Sequence, residues 1–314
     1  MQKAPEEQTV LVIGAAGIDI VARIDGKIQM GTSNPSRIRT SFGGAARNVA
    51  ENLARLGQPV GLLAVLGKDR PGDEMIAYTR QAGVDVTHVH RVDNYPTGSY
   101  VAVLNEKGHL QYACDDMRVL EELTASYLTY HQDLFEAASL LFLDANLPPA
   151  TLETAFELAA RYNLPVCADP TSRSLAPRLK PYLNRLRLIV PSVAEAGILT
   201  GQTFEAADRE ATLSAARALV NHGVGIALIT MSEFGLCYAT PETNGHIPAL
   251  STTVNDPTGA GDALTAAIIY ALLNDIEIDD AAQLGAAAAA LALRYPGTIY
   301  PDLSLDKLYK ELSI

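Results

Sequence analysis

The chain has 314 residues, of which 48% are hydrophobic and 19% charged, enough to bury one large α/β core without a second domain of comparable size. A formal net charge of −12 argues against nucleic acid as a partner, because phosphate backbones are held by clustered Lys and Arg and basic runs such as Arg185-Leu186-Arg187 are short. Cys114, Cys167 and Cys237 stand far apart without CxxC spacing, which points away from a disulfide framework or a zinc site and toward reduced thiols.

In chain order, the first apolar run covers residues 10–13 and is broken by Gly14, Gly17 and Asp19, so it reads as a buried strand and not as a signal peptide. The longest apolar run, residues 284–293, is Ala-rich and shorter than the roughly 20 residues of a membrane span. A cytoplasmic protein without membrane contact is expected. Residues 18–40, and 97–104 with 109–113, alternate in polarity and suggest antiparallel strands outside the main sheet. Between them Gly43-Gly44 enters an amphipathic helix with Val49, Leu53 and Leu56 on one face and Gly57 as its stop. Asn48 falls in its first turns. With the diglycine it can offer donors to a polyhydroxylated ligand, although a loop followed by a solvated helix fits the same residues.

Further along, residues 60–66, 140–143, 166–168, 188–190 and 226–229 read as buried strands, and 152–162, 194–200, 210–222, 263–274 and 278–295 as helices. Continuous apolar strands between helices imply a mainly parallel sheet covered on both faces, with ligands at the carboxyl ends of the strands, where both glycine motifs are expected. The second motif is Asp256-Pro257-Thr258-Gly259-Ala260-Gly261-Asp262, directly before the helical run 263–273. Free amides and a positive dipole at a helix start accept a phosphate, and Gly259 and Gly261 let it approach the backbone. The carboxylate of Asp262 would repel that anion, which makes sense if it takes a proton from the group attacking the phosphate. An N-capping Asp in a glycine turn fits the heptapeptide as well. No strand–GxGxxG–helix unit is present near the start, which discounts a nucleotide-dependent dehydrogenase.

In this order, the two motifs resemble the two signatures of the ribokinase-like (PfkB) family of sugar and nucleoside kinases. The resemblance runs from Val10-Leu11-Val12-Ile13-Gly14 and Asp19 through Gly43-Gly44 and Asn48, then Asp169-Pro170 and Pro191 to Glu195, and ends at Asp256 to Asp262. It implies a ribokinase-like α/β fold over residues 1–314, a mainly parallel central sheet flanked by helices. A small β-strand lid would come from about 18–40 and 97–118. The lid would exclude water from the transferred group and, as in many relatives, could provide the contact of a homodimer. Within the family, Ser33-Asn34-Pro35-Ser36-Arg37-Ile38-Arg39, Gly43-Gly44, Arg47-Asn48 and Asp116-Met117 are similar to the pseudouridine kinases.

The resemblance assigns roles position by position. Asp262 is the general base for a ribose hydroxyl, the 5'-OH, attacking the γ-phosphate of ATP, and the amides of Gly259, Ala260 and Gly261 form the anion hole. Asp19, otherwise a turn residue, is the sugar-binding carboxylate, with Gly43, Gly44 and Asn48 completing the sugar site. Arg47 reads as a solvated helix cation or a ligand contact. Glu195 acts on Mg²⁺ through water, while Ser192 stands where the family carries Asn. In the Thr230-Met231-Ser232-Glu233-Phe234-Gly235 loop beside the ATP phosphates, Ser232 replaces the family's Gly. Gly17 stands where many relatives have Asn. Asp256, Thr258 and the segment after Ala290 correspond to the place where many members hold K⁺. Asn34, Asp116 and Met117 are candidates for reading the base. Ribokinase- or fructokinase-type sugars, nucleosides such as adenosine or inosine, and a sugar- or nucleotide-binding regulator without turnover are the other readings.

Overall fold

The structure, a computed structural model, describes residues 8–204 and 208–313. Its short apolar runs become strands β1 (Val10–Ile13), β2 (Gly17–Ile24), β3 (Ser36–Gly43), β4 (Val60–Leu63), β5 (Val65–Gly67), β6 (His90–Val92) and β7 (Gly98–Leu104). Strands β8 (Leu110–Asp116), β9 (Leu140–Asp144), β10 (Val166–Asp169), β11 (Leu186–Ile189), β12 (Ile226–Thr230), β13 (Leu236–Ala239) and β14 (Asn244–Ile247) follow. The helices are α1 (Ala45–Arg55), α2 (Arg70–Gln81), α3 (Ala125–Tyr130), α4 (Gln132–Ala137) and α5 (Pro149–Arg161), then α6 (Val193–Thr200), α7 (Arg209–Asn221), α8 (Ala260–Leu273), α9 (Ile278–Arg294) and α10 (Leu305–Leu312).

The main sheet runs β14-β13-β12-β11-β10-β9-β1-β4. Its strands from β4 to β12 pair in parallel, and β13 and β14 add an antiparallel hairpin at one edge. In β1, Val10 and Val12 pack on one face with Phe142, Leu188 and the helix residues Val49, Leu53 and Ile268. Leu11 and Ile13 pack on the other with Leu141, Leu143 and Phe156. Each such fully buried side chain contributes about 1.5–3 kcal/mol relative to exposure, so a sheet covered on both faces holds most of the core. This is the ribokinase-like α/β architecture expected above.

Two expectations are corrected in detail. The run 60–66 is not one strand: it breaks at Ala64, so that β4 joins the main sheet while β5 pairs with β6. The lid is a four-stranded sheet in the order β3-β2-β7-β8. Its two hairpins are antiparallel, but β2 and β7 join them in parallel. Alternating polarity reports a half-buried strand and says nothing about the direction of its partner.

A row of three glycines crosses the lid at its root, because Gly17 pairs with Gly43 on one side and Gly98 on the other. A Cβ on Gly17 would stand 2.7 Å from the Gly98 carbonyl oxygen and 3.0 Å from Met117 Cε, and one on Gly98 would stand 2.6 Å from Met117 Sδ. The Asp19 carboxylate fills the equivalent space at Gly43. Gly17 therefore answers to packing at the lid root.

Candidate active site

Strand order reverses at β1. From there the chain reaches β4 on one side and β9 on the other, and a crevice opens at the carboxyl ends of such a pair. Asp144, at the end of β9, is fully buried and accepts hydrogen bonds from the backbone N–H groups of Ala15 (2.8 Å), Ala46 (3.1 Å) and Asn146 (2.9 Å). Gly14 leaves room for it. The Ala46 bond means that Asp144 holds an amide at the start of α1. Gly44, the residue before α1, has φ 91° and lies against the Ala15 carbonyl, a conformation and an approach that only glycine accepts. This diglycine follows a lid strand, not a strand of the main sheet, and its backbone is shaped by protein neighbours.

Helix α1 then carries a chain of polar side chains across the buried interior. Arg47 is 1% exposed, which corrects the solvated-cation reading. Its guanidinium donates to Glu51 Oε2 (2.7 Å), to the Phe42 carbonyl (3.2 Å) and to Asn48 Oδ1 (2.7 Å). Arg55 holds the other oxygen of Glu51. Because Arg47 can only donate, Asn48 must turn its Nδ2 outward, and that group donates to Asp262 Oδ2 at 2.7 Å. Two motifs 214 residues apart thus meet in one hydrogen bond.

Asp262 is the third residue of α8 and not its cap. The helix starts after Gly259 (φ 82°), has no side-chain cap, and its Ala260 N–H reaches the Pro257 carbonyl only at 3.5 Å. The first turn also carries Gly261, and a Cβ there would meet nothing within 4 Å. A helix start with open space over its backbone is suited to an anion. Burial raises the Asp262 carboxyl to about 7, with the charges of Asp19 and Asp144 adding to it and the Asn48 hydrogen bond and Arg47 opposing it.

Asp19, on β2, is 6% exposed and packs against Gly43. Burial lifts it to about 6; Asp256 raises it further, and Arg47 and Arg39 lower it. Its carboxyl lies within electrostatic reach of Asp262 and Arg47. Asp169, at the end of β10, is pushed well above the usual carboxylate range by burial and by the nearby charges of Asp262, Glu195 and Asp144.

The expected nucleotide-side residues gather where β11 and β12 end. Ser192 and Glu195 form a reciprocal capping box on α6: the Ser192 N–H donates to Glu195 Oε2 (2.8 Å) and the Glu195 N–H to Ser192 Oγ (3.4 Å). Ser192 also bridges to Thr230. Ser232 adopts φ 51°, a left-handed conformation that glycine accepts freely and that costs another residue about 1–2 kcal/mol. Gly235 follows at φ 94° against the Ile247 carbonyl. Asp256 is 3% exposed. It accepts from the Thr258 N–H at 3.0 Å and forms an ion pair with Arg39 of lid strand β3.

The three base-reading candidates separate. Asn34 spends its amide on its own turn, accepting from the Gln29 N–H and donating to the Gln29 and Thr32 carbonyls. Asp116 makes a two-pronged pair with Arg118, which holds its carboxyl down at about 2. With Met117 it lines a cavity of about 600 Å³ together with Asn146, Pro148 and Arg178. Among the described residues no cluster of three or more acidic, His or Cys groups forms a metal cage, and no helix is long and apolar enough to cross a membrane.

Sequence reasoning gave no role to Asp144, Arg39 or Glu51. An acid closing the apolar strand 140–143, and charges at 47, 51 and 55 with i,i+4 spacing, were signals for the first and last; Arg39 had none.

Comparison with known proteins identifies the family and the fold. Residues 7–305 match the pfkB family carbohydrate kinase family. A pseudouridine kinase of Escherichia coli (strain K12) is 30% identical over 301 residues, covering 96% of this chain and 95% of the relative. A carbohydrate kinase from Agrobacterium tumefaciens superposes with a TM-score of 0.82 at 30% identity, covering 98% of this chain and 97% of that one. A ribokinase from Thermotoga maritima does so with a TM-score of 0.82 at 22% identity, covering 98% and 100%. With a family match of this extent, the chain belongs to the pfkB family of carbohydrate kinases and is a phosphotransferase with an alcohol acceptor.

Proposed function

We propose that the chain uses ATP to phosphorylate the primary ribose hydroxyl of a nucleoside, with pseudouridine as the favoured acceptor and Asp262 as general base. The observation that carries this reading is the 2.7 Å hydrogen bond from Asn48 to Asp262 Oδ2 at the uncapped start of α8. It fixes one carboxylate oxygen and leaves the other for the acceptor hydroxyl, and a carboxyl raised to about 7 is tuned to exchange a proton near neutral pH.

As the hydroxyl gives its proton to Asp262, its oxygen attacks the γ-phosphorus, the bond from that phosphorus to the β–γ bridging oxygen breaks so that ADP leaves with its electron pair, and the amides of Gly259, Ala260 and Gly261 receive the charge on the transferred phosphoryl oxygens. Asp19 accepts hydrogen bonds from the remaining ribose hydroxyls and sets which oxygen faces the base. The charges of Asp262 and Glu195 act on the buried Asp169, and a hydrated dication near them would relieve that repulsion. Mg²⁺, when bound, neutralises phosphate charge, and Glu195 and Asp169 are the residues that would hold it, largely through its water. The base would lodge in the cavity lined by Asp116, Met117 and Asn146, whose backbone adjoins Asp144 through the Asn146 N–H.

A second reading, a ribokinase- or fructokinase-type sugar kinase, is favoured by one observation: Asn34 and Asp116 already spend their polar atoms on Gln29, Thr32 and Arg118. ADP release with ATP and Mg²⁺ across pseudouridine, uridine, inosine, ribose and fructose separates the two. A higher kcat/KM for pseudouridine than for uridine is expected. Turnover confined to free sugars overturns the nucleoside assignment, and turnover with none of them leaves a ligand-binding regulator.

A further inference from the structure

Of the groups that the family resemblance nominates for a monovalent cation, both carboxylate oxygens of Asp256 and several carbonyls at the end of α9 are engaged by donors of this chain. Asp256 Oδ1 accepts the Thr258 N–H and Oδ2 pairs with the Arg39 guanidinium. In the segment after α9 enters the site, the Ala290 carbonyl accepts from Thr252 Oγ1, the Leu293 carbonyl from the N–H groups of Asn255 and Asp256, and the Arg294 carbonyl from Asn255 Nδ2. A cation entering here would meet a guanidinium already on the carboxylate, so these residues do not fit K⁺.

We infer that Arg39 takes the place of the monovalent cation, neutralising Asp256 and ordering the 256–261 loop from a lid strand. A potassium ion would be held by the loop and the segment after Ala290, whereas Arg39 comes from lid strand β3, 217 residues away in sequence, between the lid tip and Gly43. It is a positioning residue, acting on the anion hole through Asp256 and the Thr258 turn. The pair also reaches the sugar side, since both of its charges act on Asp19. Lid position and loop order are therefore coupled by one ion pair, and a fixed guanidinium delivers the charge without binding from solution.

The inference rests on the reading of the 259–261 amides as the phosphoryl site, but its first test does not. Thermal unfolding of the full chain is measured in KCl and in choline chloride at equal ionic strength, without substrates. Equal Tm values are expected for the unaltered protein, and a rise specific to K⁺ overturns the inference. Arg39→Met should lower the Tm in choline and recover part of it in K⁺, while Arg39→Lys should stay insensitive to K⁺. An Arg39→Met protein that folds and shows no K⁺ response marks the pair as merely structural and overturns the inference; if that variant fails to fold, the unaltered protein and Arg39→Lys decide. With an accepted substrate, KM for ATP should rise on the order of tenfold in Arg39→Met and recover in K⁺ but not in choline. Absence of turnover with every acceptor would refute the kinase reading while leaving the unfolding result intact.

Discussion

Helices α1 and α8 begin alike in sequence, each entered through glycines, yet their first turns are put to opposite uses. At α1 the Asp144 carboxylate holds the Ala46 amide, and the Ala15 carbonyl and the Asp19 carboxylate press against Gly44 and Gly43. At α8 no side chain caps the turn and the space over Gly261 is open. One start is closed by the protein's own anion, and the other stands open, as the proposed phosphoryl site requires. A glycine-rich entry to a helix is thus a permission to approach the backbone, and the neighbours decide who uses it.

The sharpest way to break this contrast is at the carboxylate beside the open turn. Asp262→Asn should retain the fold and ATP binding while turnover falls by about 10²–10⁴-fold, read from single-turnover kinetics beside nucleotide titration; near-normal turnover removes Asp262 as the base. Next come the glycines themselves. Gly44→Ala should be severely destabilising, with a large drop in urea midpoint, because φ 91° and the Ala15 carbonyl both oppose a side chain. Gly261→Ala should leave the unfolding free energy unchanged or raised by up to ~1 kcal/mol, yet weaken ATP turnover by filling the space over the turn. Equal stability losses in the two would erase the distinction between closed and open starts.

Arg47→Met should cost about 1–3 kcal/mol by leaving Glu51 Oε2 without its donor while Arg55 still holds Oε1. It should also lower kcat through a loosened Asn48, which chemical denaturation and steady-state rates on the same sample can separate. The smallest expected effect is on pH. Burial raises Asp262 to about 7 and Asp19 to about 6 from 3.8, so the folded protein holds these protons more tightly than the unfolded chain. The stability this provides is full below the unfolded value and is lost as pH rises through 6 and 7. The Tm of Asp262→Asn relative to the unaltered protein should accordingly climb by a few degrees from about pH 4 to about pH 8. In the unaltered protein kcat/KM should increase through pH 7 as the base ionises; a flat profile would remove that proton from the mechanism.

Legibility in the sequence followed the strength of local signals. Strands β1, β9, β10 and β12 are continuous apolar runs and helix α8 is apolar almost throughout, so burial alone announced them. Helix α2 escaped because only Gly72, Met75 and Thr79 of its twelve residues are buried, too few for a periodic stripe, although Asp69 before Pro71 was an available start signal. Strand β13 escaped although all four residues are buried, because Cys237 and Ala239 dilute the run of Val, Ile and Leu that marks β1 and β9. Within the site, Asp19, Asn48 and Asp262 were legible as residue types in motifs. Their meeting was not, because it depends on Arg47 turning the Asn48 amide, and Arg47 read from sequence alone could equally face water. Arg39 illustrates the limit: nothing local to 33–39 mentions Asp256, and only the folded lid brings the two together.

The three-glycine row at the root of the lid also governs how the chain is free to diverge. Along the strands of the lid, exposed positions such as Arg37, Thr40 and Gln111 can change with little consequence for packing. Gly17, Gly43 and Gly98 cannot follow, because each space is already taken by Met117, a neighbouring carbonyl or Asp19. Descendants of this chain should therefore vary in what their lids cover while inheriting an unaltered seam where the lid is sewn to the core.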